Sequence, residues 1–121
     1  MKDHFMKARP SRILHTMLRV NSIENSLKFY RDLLGMTEFR REDYPTGQFK
    51  LCFVGYGSEE SESVIELTEN YDATEYHHSD KFGHIALEVN EIYGTCNALK
   101  QRGVSFVREP GPMTHTASNG G

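Results

Sequence analysis

Three side chains carry the most chemistry-bearing pattern of this 121-residue sequence: His15, Glu66 and His84. Each stands inside a run rich in β-branched and apolar residues, from Ile13 to Val20, from Ser63 to Glu69 and from Phe82 to Asn90. In such runs the two-residue period of a strand decides which neighbours share a face. That period groups His15 with Met17 and Arg19, Glu66 with Val64, Thr68 and Asn70, and His84 with Ala86 and Glu88. If the strands curl around one cavity, two imidazoles and a carboxylate make a sensible first shell for Zn2+, Ni2+, Co2+ or Fe2+. Taken singly, a strand histidine is more often hydrogen-bonded structure, and a strand glutamate more often faces solvent. His15 and His84 rise above that reading because they occupy equivalent places in an internal repeat.

The elements that must position them fall in one order. The strand Ile13 to Val20 is followed by a helix with Ile23, Leu27, Tyr30 and Leu34 at helical spacing, a capping residue before it and Gly35 as its stop. Strands from Met36 to Glu42, Phe49 to Gly55 and Ser63 to Glu69 come next, separated by Pro45-Thr46-Gly47 and by the polar Gly57-Ser58-Glu59-Glu60 turn. That is a β-α-β-β-β unit. The order restarts at Phe82, with a helix through Cys96 and Leu99 and a strand from Val104 to Arg108. An offset of 69, from His15 to His84, sets Leu18 on Leu87, Val20 on Val89, Asn21 on Asn90 and Ile23 on Ile92, and a one-residue gap brings Arg40 onto Arg108. A counterpart of Glu66 would stand near position 135, past Gly121, so the second copy is expected to lack its last two strands.

The sequence therefore predicts an α+β domain of two β-α-β-β-β modules with the second truncated. Residues 1–10 are expected to be a flexible leader and 11–121 a single domain. Within it, module one covers 11–72, an incomplete module two covers 81–113, and a polar tail covers 114–121.

Composition narrows the classes of function. With 37% hydrophobic and 26% charged residues the chain belongs among ordinary globular proteins. A net charge of -3 offers no broad positive field to a phosphate backbone, so nucleic acid is not an expected partner. No apolar run reaches membrane-spanning length and the start has no signal-peptide core, which points to the cytoplasm. Cys52 and Cys96 fall in strand and helix interiors and are expected to be reduced, buried thiols rather than nucleophiles. Glycine-rich nucleotide loops, paired Cys-x-x-Cys and the Gly-x-Ser-x-Gly elbow are absent from the sequence. His4, His77, His78 and His115 lie in the leader, a polar loop and the tail, where no chemistry is assigned to them.

Motif after motif, from about Ser11 to Met113, the sequence resembles glyoxalase I, the lactoylglutathione lyases of the vicinal oxygen chelate superfamily. The residues that carry the resemblance are Ile13-Leu14-His15-Thr16-Met17-Leu18-Arg19-Val20, Ser26-Leu27-Lys28-Phe29-Tyr30 with Leu34-Gly35-Met36, Phe53-Val54-Gly55-Tyr56-Gly57, Val64-Ile65-Glu66-Leu67-Thr68-Glu69-Asn70 and Phe82-Gly83-His84-Ile85-Ala86-Leu87. The resemblance implies paired modules, a homodimer whose metal sites combine ligands from two modules, and nickel, cobalt or zinc as the metal. It implies isomerisation of the hemithioacetal of methylglyoxal and glutathione, the co-substrate, to S-lactoylglutathione. By position, His15, Glu66 and His84 correspond to three of four protein ligands, and Arg19 and Asn70 to residues that hold the γ-glutamyl end of glutathione. Lys81 and Arg108 stand where the family keeps cations for the glycyl carboxylate, and Met113 near an apolar pocket wall. The family's base is a metal-bound glutamate within an Asp-Pro-Asp-Gly…Glu segment. These 121 residues contain no such segment, which leaves Glu66 as the carboxylate on hand. A non-catalytic glutathione- and metal-binding fragment, or another enzyme of the superfamily such as a dioxygenase or a thiol transferase, are the alternative readings.

Overall fold

The computed structural model describes residues 8–72, 76 and 81–112. The expected leader up to residue 7, Met113 and the tail beyond it, and His4, His77, His78 and His115 lie outside the described residues. The chain divides into two compact units, Met1–Ser79 and Asp80–Gly121.

The first unit is a complete β-α-β-β-β module. Strand β1 (His15–Arg19) leads through the cap Ser22 into helix α1 (Ile23–Leu27), which widens into a π-helical stretch, Lys28–Leu33. Ser22 has extended backbone and its side chain accepts a hydrogen bond from the Asn25 amide at 3.1 Å, satisfying one of the helix's unpaired donors. Gly35 ends the helical run with φ of 77°, a left-handed conformation that glycine adopts without a Cβ clash. Its amide donates to the Arg31 carbonyl and the Met36 amide to that of Tyr30, so the last carbonyls are paired. The helix is thus shorter and more loosely wound than the periodicity predicted.

Strands β2 (Thr37–Tyr44), β3 (Phe49–Gly55) and β4 (Val64–Asn70) complete one four-stranded sheet in the order β1-β4-β3-β2. β2 and β3 run antiparallel, as do β3 and β4, whereas β1 lies parallel to β4 with Met17 opposite Glu66 and Arg19 opposite Thr68. One face of the sheet packs on the helix. Ile23, Leu27, Met36, Cys52, Val54 and Leu67 form that core, with Leu18, Val20, Tyr30 and Ile65 against it. Burial pushes the Cys52 thiol up to about 11, which keeps it protonated and inert near neutral pH.

The other face carries the polar residues of β1 and β4. A bulge between Glu38 and Arg40 adds a residue to β2 and sets Arg40 opposite Phe53. The Arg40 guanidinium then lies 3.9 Å from the centre of the Phe53 ring, and its Nε donates to both oxygens of Glu59 at 3.2 Å.

The second unit holds one regular element, helix α2 (Ile92–Gln101), capped by the Glu91 side chain accepting from the Gly94 amide at 2.6 Å. The strands expected at 82–90 and 104–108 are not formed among the described residues, and the whole of 82–90 is exposed. The first unit supplies the physical reason. There β1 is paired only to β4 and β2 only to β3. By the repeat offset the counterparts of β3 and β4 would fall between about 118 and 139, outside the described residues. A strand is held by its ladder, and these two segments have the side chains of strands but no neighbouring strand to bond among the described residues.

Candidate functional site

His15 and Glu66 meet on the open face of the first unit. The parallel register of β1 on β4 puts Thr16 opposite Ile65 and Met17 opposite Glu66, so His15 sits diagonally before the glutamate. Its Nε2 stands 2.9 Å from Glu66 Oε1. The imidazole edge packs on the Phe53 ring, centroids 5.5 Å apart and planes at 76°, which restricts its rotation. Glu66 is 14% exposed in its side chain, and its second oxygen, Oε2, accepts a hydrogen bond from the buried Thr68 hydroxyl at 3.0 Å. Both oxygens of a largely buried carboxylate are therefore satisfied, as its desolvation requires.

The donor pair fits a divalent metal. Two ligands each about 2.1 Å from one cation and about 90° apart are separated by about 3 Å, which is the spacing between His15 Nε2 and Glu66 Oε1. An imidazole nitrogen with a carboxylate oxygen suits nickel, cobalt or zinc. Among the described residues no three His, Cys, Asp or Glu side chains gather into one metal-binding group. His84 belongs to the second unit, where it is exposed.

A second polar feature opens at the end of β1. Arg19, Val20, Asn21, Ser22, Asn25, Ser26 and Tyr76 line a cleft of about 320 Å³. Asn70, at the end of β4, donates from Nδ2 at 2.7 Å to the hydroxyl of Tyr76, one of the residues lining the cleft. A cation sharing a cleft with amide and hydroxyl acceptors suits an α-amino acid group, whose carboxylate and ammonium need those two kinds of partner. Of the remaining predicted residues, Arg108 donates to the Pro112 carbonyl at 2.7 Å, Lys81 is exposed, and Met113 lies outside the described residues.

Two residues of this face went unassigned in the sequence. Thr68 carried a readable signal, since it shares a face with Glu66 two positions away, but its hydroxyl had no evident task. Tyr76 carried none, because a tyrosine in a polar loop has no period from which to place it.

The chain belongs to the Glyoxalase/Bleomycin resistance protein/Dioxygenase superfamily, whose family profile matches residues 12–120. Within that class its relatives are lactoylglutathione lyases. It is 52% identical over 103 residues to the "Probable lactoylglutathione lyase" of Synechocystis, a match spanning 85% of this chain and 79% of the relative. It is also 52% identical over 104 residues to the "Lactoylglutathione lyase" of Neisseria meningitidis serogroup A, spanning 86% of this chain and 75% of the relative. Among solved structures, the trypanothione-dependent glyoxalase I of Leishmania major superposes with a TM-score of 0.75 at 37% identity, over 92% of this chain and 75% of that one. Glyoxalase I from Zea mays superposes with a TM-score of 0.80 at 33% identity, over 85% of this chain and 37% of that one. The fold is that of the glyoxalase superfamily, and the resemblance seen in the sequence motifs is a family membership.

Proposed function

We propose that this chain is a glyoxalase I module that isomerises the hemithioacetal of methylglyoxal and glutathione to S-lactoylglutathione, with a divalent metal held by His15, Glu66 and His84. The observation that carries the reading is the His15–Glu66 pair, two metal-suited donor atoms 2.9 Å apart on the open face of the module. Relatives named lactoylglutathione lyase at 43 to 52% identity over most of the chain support the lyase over a dioxygenase or a thiol transferase. When bound, the metal would act as a Lewis acid toward the substrate's oxygens. Arg19 and Asn70 hold the γ-glutamyl end in the cleft beside β1, Lys81 and Arg108 face the glycyl carboxylate, and Met113 contributes apolar wall. Glu66 is the carboxylate available to move a proton at the substrate carbon next to the metal.

The working form is a homodimer in which each site takes ligands from two modules, as in the family. The exposed stretch 82–90 supports this, since Phe82, Ile85, Leu87 and Val89 are each 38 to 42% exposed in the single chain. No helix among the described residues is long and apolar enough to cross a membrane. Free thiols at Cys52 and Cys96 suit the reducing cytoplasm.

The test follows thioester formation from methylglyoxal and glutathione after nickel, cobalt or zinc is added to metal-free protein. Turnover with at least one metal, lost in Glu66→Gln, is the expected result. Properly folded protein that binds glutathione and metal yet turns nothing over would establish the non-catalytic reading instead. Arg19→Ala should weaken glutathione binding by about 10-fold or more, the usual effect of losing a charge-assisted contact.

A further inference from the structure

Glu66 presents two oxygens, and the structure distinguishes them. Oε1 lies 2.9 Å from His15 Nε2, whereas Oε2 accepts from the Thr68 hydroxyl at 3.0 Å. We infer that Thr68 is a positioning residue that locks the Glu66 carboxylate so that one oxygen alone is offered to a metal. The inference rests on the proposed role of His15 and Glu66 as ligands.

Three features make the lock effective. Thr68 is 7% exposed, so water does not compete freely for its hydroxyl, and an ionised carboxylate can only accept, which fixes the hydroxyl as the donor. The side chain is β-branched and stiff about χ1. Its backbone is held from both sides of the strand, opposite Leu51 on β3 and opposite Arg19 on β1, and its carbonyl accepts from the Val20 amide at 2.9 Å. The strand alternation that puts Thr68 two residues after Glu66 therefore places the donor and the carboxylate on one face, with little freedom in either. With Oε2 engaged, Oε1 stays aimed at the His15 nitrogen. Releasing Oε2 would let the carboxylate turn away from its partner ligand or engage a cation through both oxygens.

Hydrogen-bonding partners behind a ligand typically set metal affinity by 10- to 100-fold. The full chain, metal-free, is titrated with nickel chloride in a competing chelator, in the wild type and in Thr68→Val, Thr68→Ser and Glu66→Gln, with a thermal melt of each. Thr68→Val keeps shape and loses the hydroxyl, and is expected to weaken nickel by about 10-fold or more. Thr68→Ser keeps the hydroxyl and loses a buried methyl, so it should bind nickel nearly as the wild type does while melting lower. Wild-type affinity in Thr68→Val, with affinity lost in Glu66→Gln, would overturn the inference and leave the ligand reading standing. Equal weakening in Val and Ser, tracking the loss of stability, would also overturn it. If Glu66→Gln binds nickel as the wild type does, Glu66 is no ligand and the role of Thr68 falls with it.

Discussion

The two units begin with matching residues and end in different states. Ile23 is 4% exposed and its repeat counterpart Ile92 is 47% exposed. Leu18 packs against the core of the first unit while Leu87 is 39% exposed. His15 is gripped by Glu66 and Phe53, whereas His84 sits in a stretch that is exposed throughout. Side-chain type is nearly constant across these pairs, so it cannot be what separates them. The variable is the ladder: β1 has β4 beside it, and 82–90 has no strand beside it among the described residues. An apolar strand face becomes a core only when the backbone that carries it is paired and another layer covers it.

The largest effect that should sharpen this contrast is at Leu67. It is fully buried where β4 meets the helix, and Leu67→Ala is expected to destabilise the first unit by about 2 to 5 kcal/mol. The matching cut in the second unit, Leu87→Ala, should cost under about 1 kcal/mol if that residue remains exposed in solution. Urea unfolding followed by far-UV circular dichroism measures both. A cost at Leu87 approaching that at Leu67 would break the comparison and show that the exposed face of 82–90 is covered in solution, as a dimer would cover it. Repeating the Leu87→Ala measurement over a range of protein concentrations would then separate a second copy from local folding.

A smaller effect compares identical residues. Ile23→Val removes one methyl from a site 4% exposed and should cost about 1 kcal/mol, whereas Ile92→Val on the exposed start of α2 should lie within about 0.5 kcal/mol of the wild type. The same urea series reads both, and equal costs would mean that repeat position, rather than local cover, governs their burial.

Much of this contrast was legible in the sequence, and for a definite reason. Period-two alternation through Ile13 to Val20 and Ser63 to Glu69 specified which side chains share a face, and the repeat arithmetic identified the strands that a second module would need. Gly35 was legible because a helix stop with positive φ favours glycine. The strands at 82–90 and 104–108 were misjudged because alternation reports a segment's fitness for a sheet and is silent on whether a neighbour exists. β2 was expected to end at Glu42 and runs two residues further, because Asp43 and Tyr44 keep their pairing with Lys50 and Phe49 on β3 and the Tyr44 ring stacks on Phe49 with centroids 5.1 Å apart. Face and spacing singled out His15 and Glu66, whereas Arg19 and Asn70 were assigned through the family resemblance. The roles of Thr68 and Tyr76 could not, since each depends on one hydroxyl finding one partner.

The smallest expected effect concerns charge, and it falls on the first unit alone. Arg41 donates to Glu38 and to Glu24 at 2.5 Å, and Arg31 donates to Glu38 at 3.0 Å, tying α1 and its π-helical continuation to β2. The Arg41 hydrogen bond holds the Glu38 carboxyl below its ordinary value, and the same guanidinium lowers Glu24. A carboxyl lowered by folding binds its proton more readily in the unfolded chain. Its contribution is therefore present above the unfolded value, near pH 4.3, and is lost as pH falls through the lowered folded value. Because these groups are partly exposed and screened, the contribution of Glu38 should stay under about 1 kcal/mol. Glu38→Gln should then be slightly less stable than the wild type between pH 5 and 7, and the two should converge as the pH drops toward 3. Urea midpoints at each pH and at two salt concentrations measure the gap. A gap that persists unchanged at the acid end would mean that Glu38 acts through packing across the α1–β2 boundary and not through its charge, and the difference between the two units would then rest on cover and pairing alone.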